Sequence, residues 1–255
     1  MAGPDANNEA EELKSPIDEE VRLLFRQGQY AEAVPVIQEH LTGHSDDVPA
    51  YDLMATALKF SGDKAGAAGA LMTASELWAA QGQVLQSISA QKKAMKLGVD
   101  PDYTATRACA PEKEAQRVPT PLLDDLSDEE FTELAAGFES REYEEGEAIV
   151  AEGDEGDSMF VVTSGRVTVS TSKGDDQVEL ATLGPGDFFG EAALLSGRPR
   201  TATIRANSAT DCLELTRAAL DTIVEGHPRV REVMDEFNRR RAASTIETLL
   251  GKRDD

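Results

Sequence analysis

The apolar residues of this 255-residue chain change their spacing part-way along it, and this change constrains the fold most strongly. From Ile17 to about residue 100 they recur with a helical period. From Ser140 to Leu215 they alternate with a period of two, in short runs separated by glycine-containing turn signals. Helical periodicity returns over Arg217–Glu225 and from Pro228 to about Leu250. The sequence therefore predicts a multidomain α and β protein, with a helical domain followed by an all-β roll.

The helical part contains a repeat. Three pairs of residues lie 34 positions apart: Gly28 and Gly62, Ala33 and Ala67, and Ile37 and Leu71. This period is typical of helix-turn-helix repeats, in which glycines end helices and alanines lie where two helices approach closely. With small residues at Ala55, Ala67 and Ala74 and an aromatic at Tyr51, the segment resembles a degenerate tetratricopeptide repeat. The resemblance implies a surface for a partner protein, and a generic bundle of helical hairpins is the alternative.

Composition sets the predicted boundaries. Residues 1–16 are polar and acidic, and we predict a disordered tail because they bury too little apolar surface to fold. The tetratricopeptide-like domain follows at 17–100, and a proline-rich linker at 101–121. We assign 122–241 to the second domain and 242–255 to the end of the C-terminal helix and a tail. Ser127 and Glu130 have capping-box spacing, which predicts a helix start at that point.

The net charge, the apolar runs and the few cysteines and histidines argue against several functions. The net charge is −23, with 48 acidic and 25 basic residues, so we expect repulsion of nucleic acids. No apolar run is long enough for a membrane span or a secretion signal, so no membrane partner is predicted. Two cysteines, Cys109 and Cys212, are too few for a disulfide framework and favour the reduced cytoplasm. The three histidines are dispersed, which predicts no metal site and no enzyme.

Residues 186–202 combine the groups needed to bind a cyclic phosphate diester attached to a ribose. Gly190 admits close backbone approach, and the following residues to Leu195 favour a short helix. The free amides at its start, including those of Ala192 and Ala193, are candidate donors to phosphate oxygens. Glu191 can accept a hydrogen bond from a ribose 2′-hydroxyl, and the Arg200 guanidinium can pair with the phosphate.

This stretch resembles the phosphate-binding cassette of the cyclic nucleotide-binding domain family. The matching residues are Phe189-Gly190-Glu191-Ala192-Ala193-Leu194 and Pro199-Arg200-Thr201-Ala202. The resemblance implies that Glu191 binds the ribose, that Arg200 binds the cyclic phosphate and that the amides complete the site. The alternative is a surface ion pair between Glu191 and Arg200 beside a turn. A dinucleotide site is a poor match, because the spacing of Gly184, Gly186 and Gly190 differs from the dinucleotide fingerprint.

The resemblance extends over the whole predicted roll. Glycines at 146, 153, 156, 165, 174, 184 and 186 resemble the corner positions of the family's jelly roll. Alternate residues such as Val169 and Leu180 are then expected to face the ribose and base, with a purely structural role in the core as the alternative. In the family, the C-terminal helices move toward the base. The cluster Arg239-Arg240-Arg241 on the last helix is most simply a solvated face.

These observations predict a non-catalytic cyclic-nucleotide sensor that couples ligand binding to a protein partner of the helical repeats. We favour cAMP over cGMP, and Thr201 is a candidate ligand contact in either case. Candidates for base contact on the last helix are Arg239, Arg240, Arg241, Ser244 and Thr245. The last helix is also a candidate surface for formation of a homodimer. The alternative is an interaction adaptor whose nucleotide domain is ligand-independent or binds cGMP.

Overall fold

The computed structural model describes residues 18–98, 123, 125–173 and 176–251. The predicted tail at 1–16 and linker at 101–121 lie outside the described residues, as do Cys109 and Gly174. Among the described helices, none combines the length and hydropathy needed to cross a bilayer. The chain divides into two compact units: residues up to 82 with 90–115, and residues 83–89 with 116–255.

The first unit is helical. Its elements are α1 (Asp18–Arg26), α2 (Tyr30–Gly43), α3 (Val48–Ser61), α4 (Lys64–Ala80) and the second half of α5 (Val84–Lys96). Gly62 ends α3 in the left-handed conformation (φ 95°), which glycine adopts without steric cost. Asp63 then caps α4, because its carboxylate accepts a hydrogen bond from the Gly66 amide (2.8 Å).

The repeat is visible in the packing of this unit. Ala33, Ala67 and Ile37 are completely buried, and Leu71 nearly so. Ala33, Ile37 and Leu71 belong to one core of alanine and aliphatic residues, and the small side chains let the helices approach closely. The two repeats differ at their helix starts, since Gln29 makes no side-chain cap to α2, whereas Asp63 caps α4. A helical unit is therefore present, and the tetratricopeptide assignment stays a prediction.

The second unit begins with α6 (Asp128–Gly137), and its start confirms the predicted capping box. The Glu130 amide donates to Ser127 Oγ (3.3 Å), and the Ser127 amide donates to Glu130 Oε2 (2.8 Å). Arg229 also donates to Glu130 Oε2 (2.5 Å). The hydrogen bond from the Ser127 backbone, followed by its hydroxyl and by Arg229, lowers the pKa of Glu130 despite burial.

In the described part of the chain, eight strands follow α6: β1 (Glu139–Tyr143), β2 (Ala148–Val150), β3 (Ser158–Ser164), β4 (Val167–Lys173), β5 (Asp176–Leu183), β6 (Phe188–Phe189), β7 (Thr203–Ala206) and β8 (Thr210–Thr216). They form two four-stranded antiparallel sheets, in the orders β1-β8-β3-β6 and β2-β7-β4-β5. The helix α7 (Glu191–Ser196) connects β6 to β7, and α8 (Arg217–Gly226) and α9 (Pro228–Gly251) follow β8. The all-β prediction for this region is confirmed as an antiparallel sandwich.

The interior of the sandwich is apolar. Its cluster of buried residues consists of Phe160, Val162, Val167, Phe189, Ile204 and Cys212. β3 contributes a long run of buried residues, since every residue from Ser158 to Thr163 is buried. Burial raises the pKa of the Cys212 thiol to about 12. Ser158 is therefore the first residue of this buried run.

Candidate functional site

The short helix predicted after Gly190 is present, and glycine conformation fixes both of its ends. Gly190 precedes α7 with φ 80°, and Gly197 follows it with φ 69°. The first amide that bonds inside the helix is that of Leu194, which donates to Gly190 O (3.2 Å). The amides of Ala192 and Ala193 therefore belong to the first turn, where N–H groups have no intrahelical acceptor.

Arg200 is the central side chain of the site. Only 7% of this residue is exposed. Its Nη1 donates to Ser158 O (2.6 Å) and to Gly190 O (3.0 Å), and its Nη2 donates to Ser158 Oγ (3.1 Å). The guanidinium therefore lies at the N-terminal end of α7. Its backbone is also fixed, because Arg200 N–H donates to Asp154 O (2.8 Å) and Gly153 N–H donates to Arg200 O (2.9 Å).

All hydrogen-bond acceptors around this buried guanidinium are neutral. Within the described residues, no carboxylate lies within ion-pair distance of Arg200. Burial lowers the pKa of Arg200, and the more distant carboxylates of Asp157, Glu214, Glu191 and Asp154 only oppose this effect. A buried cation without a paired anion is costly to maintain, which is typical of an anion-binding site rather than a structural ion pair.

The expected alternative, a surface ion pair between Glu191 and Arg200, is therefore wrong. Arg200 is buried, and it makes no ion pair with Glu191. Glu191 is half-buried at the first position of α7, directly after the glycine whose carbonyl accepts a hydrogen bond from Arg200. The structure thus brings both predicted residues to the same end of one helix.

Two glycines make the close packing around Arg200 possible. A Cβ at residue 156 would lie 2.7 Å from Arg200 Nε and 2.6 Å from Ala193 Cβ. A Cβ at residue 190 would lie 2.6 Å from Arg200 Nη1. The ring of Phe160 completes the surroundings, with its centroid 5.9 Å from the guanidinium carbon. Gly156 was predicted as a corner of the roll, but its structural requirement is space for Arg200 rather than a left-handed backbone.

The other predicted ligand contacts have different environments. Val169 packs partly buried against the sandwich core, and Phe189 is buried with its ring stacked on Phe160 at 5.0 Å. Leu180 is 52% exposed and lies at a β-bulge, because Val169 pairs with Ala181 while Ser170 pairs with Glu179. A core role for Leu180 is therefore wrong. Thr201 is exposed. Contact of these residues with a ligand stays a prediction.

Sequence reasoning missed Ser158. This residue contacts both terminal nitrogens of Arg200 through its carbonyl and its hydroxyl. Its only local signal is its position at the start of the apolar run Ser-Met-Phe-Val-Val, after a Gly-Asp turn. Nothing in that run indicates a partner 42 residues further along the chain.

Within the described residues, no group of three His, Cys, Asp or Glu side chains is arranged to hold a metal ion.

Comparison with known families identifies the segment that contains this site. Residues 140–227 match the model of the cyclic nucleotide-binding domain. The matched segment includes all eight strands except the first residue of β1, and also α7 and α8. It lies inside the predicted second domain at 122–241.

Individual proteins show the same similarity. The chain is 38% identical over 91 residues to the cAMP-dependent protein kinase regulatory subunit of Mycosarcoma maydis, covering 36% of this chain and 17% of that protein. It is also similar to the catabolite activator protein of Thermus thermophilus (32% identity, TM-score 0.47, 51% of this chain and 61% of that chain). A third similarity is to the regulatory domain of Toxoplasma gondii PKA crystallised with cAMP (24% identity, TM-score 0.44, 49% and 46%).

Proposed function

We propose that this protein is a non-catalytic cyclic-nucleotide sensor with cAMP as its preferred ligand. The observation that carries the proposal is the buried guanidinium of Arg200, which has neutral hydrogen-bond partners and no paired carboxylate among the described residues. A cyclic phosphate supplies the missing anion, and desolvation of the site strengthens its attraction to the guanidinium. The family match of residues 140–227 supports the same ligand class.

We propose that the nucleotide contacts the groups at the N-terminal end of α7. Arg200 binds the cyclic phosphate, and the amides of Ala192 and Ala193 donate to its oxygens. Glu191 accepts a hydrogen bond from the ribose hydroxyl, while Gly190 allows close approach of the backbone. The further contacts proposed for the nucleotide are Val169, Leu180, Phe189 and Thr201. The partly exposed position of Leu180 supports a base contact better than a role in the core.

Two guanidinium groups connect α7 to the following helices, which supports coupling of ligand binding to a conformational change. Arg217 on α8 donates to Ala193 O (3.1 Å), and Arg231 on α9 donates to Leu195 O (2.9 Å). An anion that draws α7 toward itself would alter both hydrogen bonds. Ligand can shift α9 only through a difference in affinity between the two arrangements. We propose that a cytoplasmic protein partner of the helical unit reads this change.

The helical unit itself supports the alternative function of a protein-interaction adaptor. Phe60 is 60% exposed, although its ring stacks on Tyr30 at 4.7 Å. Leu23 is 54% exposed on α1. Exposed apolar side chains contribute to partner binding where they form a continuous patch. An adaptor of this type would bind its partner equally well with or without nucleotide.

Calorimetric titration with cAMP and with cGMP tests the proposal. Wild-type protein should bind cAMP more tightly than cGMP, and Arg200→Ala should weaken cAMP binding by about 100-fold or more, because it removes a buried charged partner. Arg205→Ala is the matched control, since this arginine is exposed on β7, and it should bind like wild type. Absence of binding to wild type, or an unchanged affinity in Arg200→Ala, would refute the sensor function.

A further inference from the structure

Arg200 holds its guanidinium in one orientation, and a single residue accounts for most of the restraint. Nη1 donates to the Ser158 carbonyl (2.6 Å), and Nη2 donates to the Ser158 hydroxyl (3.1 Å). A guanidinium is planar and presents four of its five N–H donors along two edges, with the fifth on the outer side of Nη1. Ser158 therefore occupies the edge formed by the two terminal nitrogens, while Gly190 O takes the other Nη1 proton.

The opposite edge of the guanidinium consists of Nε–H and the second Nη2–H. Within the described part of the chain, neither of these donors has a hydrogen-bond acceptor. Two parallel donors on one edge match the two oxygens of a phosphate group, which is the bidentate arrangement that gives arginine its selectivity for such anions. The Nη1–Nη2 edge and the Nε–Nη2 edge belong to one rigid plane. When Ser158 fixes the first edge, the direction in which the second edge points is fixed as well.

Ser158 is well placed to act as this anchor because its own position is strongly determined. It is the first residue of β3, it pairs with Thr216 on β8, and only 4% of it is exposed. The preceding carbonyl, Asp157 O, accepts a hydrogen bond from Arg217 N–H (2.6 Å). The hydroxyl therefore projects from the start of a buried strand whose backbone is held here by Thr216 and Arg217.

We propose that Ser158 is a positioning residue for the anion: its carbonyl and hydroxyl fix the plane of Arg200 so that the Nε edge faces the phosphate. This inference rests on the proposed function. It predicts that the hydroxyl contributes to nucleotide affinity although it does not touch the nucleotide. It also predicts that the guanidinium is ordered before any nucleotide binds.

The test is calorimetric titration of the full chain with cAMP. Ser158→Ala should weaken binding about 10-fold, the usual effect of losing a hydrogen bond to a charged group. Ser158→Thr keeps a hydroxyl and should remain within about 3-fold of wild type on the same scale. Ser164→Ala is the matched control, because it makes the same change at an exposed position of the same strand, and it should bind like wild type.

A second measurement needs no nucleotide. Nuclear magnetic resonance of the arginine Nη groups should show slow rotation for Arg200 in wild type and in Ser158→Thr, and fast rotation in Ser158→Ala. The Arg200 signal is assigned by its loss in Arg200→Ala. Slow rotation that persists in Ser158→Ala, or an unchanged cAMP affinity in that variant, overturns the inference and leaves the sensor function intact. If wild type binds neither cAMP nor cGMP, the proposed function fails and this inference fails with it.

Discussion

Two kinds of charged site, one in each unit of the molecule, have opposite effects on stability. In the helical unit, Asp47 and Asp63 accept hydrogen bonds from backbone amides at helix starts, and these contacts contribute to helix stability. In the sandwich unit, Arg200 is buried with neutral partners, an arrangement that costs stability. A charge whose position stabilises the fold needs no further explanation. A charge held at a cost indicates a site that is completed by a ligand.

The same contrast appears within the sandwich unit. Arg141 donates through Nε to Glu214 (2.6 Å) and also pairs with Glu139 (3.0 Å). Arg229 pairs with Glu130 (2.5 Å). Both of these arginines have carboxylate partners from the protein, whereas Arg200 has none within the described residues. Burial without a carboxylate partner, rather than residue type, therefore separates these two structural arginines from the proposed binding residue.

The variant with the largest expected effect tests whether the helical unit can lose stability while the sandwich unit keeps its affinity for cAMP. Ile37→Ala in α2 removes a fully buried side chain and should lower the free energy of unfolding of the helical unit by about 2–5 kcal/mol. Trp78, the single tryptophan, lies in α4 and reports this transition by fluorescence during denaturation. The cAMP affinity should stay unchanged.

The matched variant Leu213→Ala removes a fully buried side chain from β8 in the other unit. It should destabilise the sandwich by a similar amount and leave the Trp78 transition where it is in wild type. A loss of cAMP affinity in Ile37→Ala as large as that in Arg200→Ala would show that the site is not confined to the second unit.

The next effect concerns the space around Arg200. Gly156→Ala should weaken cAMP binding about 30-fold, equivalent to ~2 kcal/mol, because the new Cβ would displace the guanidinium or Ala193. Gly184→Ala is the control, since no atom lies within 4 Å of its added Cβ. Neither glycine has a left-handed backbone, so strain does not distinguish them. Equal affinities in a calorimetric titration would mean that close packing at residue 156 is not required.

Local sequence signals predicted a large part of this structure. The capping box at Ser127 and Glu130 and the short helix after Gly190 depend on residues within a few positions of each other, and both are present. The glycine at 62 ends α3 as the repeat spacing indicated. Each of these features is decided by backbone conformation and nearby hydrogen bonds, which are readable from a short stretch of sequence.

The features that could not be predicted depend on pairing between distant strands. β1 has the sequence Glu-Ser-Arg-Glu-Tyr, which shows no apolar alternation, and it lies at the edge of its sheet beside β8 among the described strands. The contact of Ser158 with Arg200 joins residues 42 positions apart and requires the start of β3 to lie beside α7. The bulge that exposes Leu180 likewise follows from strand register rather than from composition.

A smaller, pH-dependent effect is expected at the start of α6. Glu130→Gln removes the charge of the capping carboxylate and should lower the free energy of unfolding by about 1 kcal/mol at pH 7. The folded state depresses the pKa of Glu130 below its ordinary value of 4.5, mainly through the Ser127 amide, so this stability is fully present above that value. It should disappear as the pH falls through the depressed pKa.

The measurement for Glu130 is denaturant unfolding followed by circular dichroism at several pH values between 7 and 3. Glu129→Gln is the control, because Glu129 is an exposed carboxylate in the same turn of α6. A difference between wild type and Glu130→Gln that stays constant over this range would show that the carboxylate charge does not stabilise the cap.

The smallest expected effect lies in the helical unit. Asp63→Ala removes the acceptor of the Gly66 amide and should lower the free energy of unfolding of that unit by about 0.5–1 kcal/mol. Asp63→Ser keeps a capping oxygen and should lie close to wild type. Trp78 fluorescence follows both variants, because the tryptophan and the cap belong to the same helix. Since Asp63 contributes only to stability, cAMP affinity should be identical in all three proteins. A change in affinity would mean that charges in the helical unit also act on the nucleotide site, and the contrast between the two units would no longer hold.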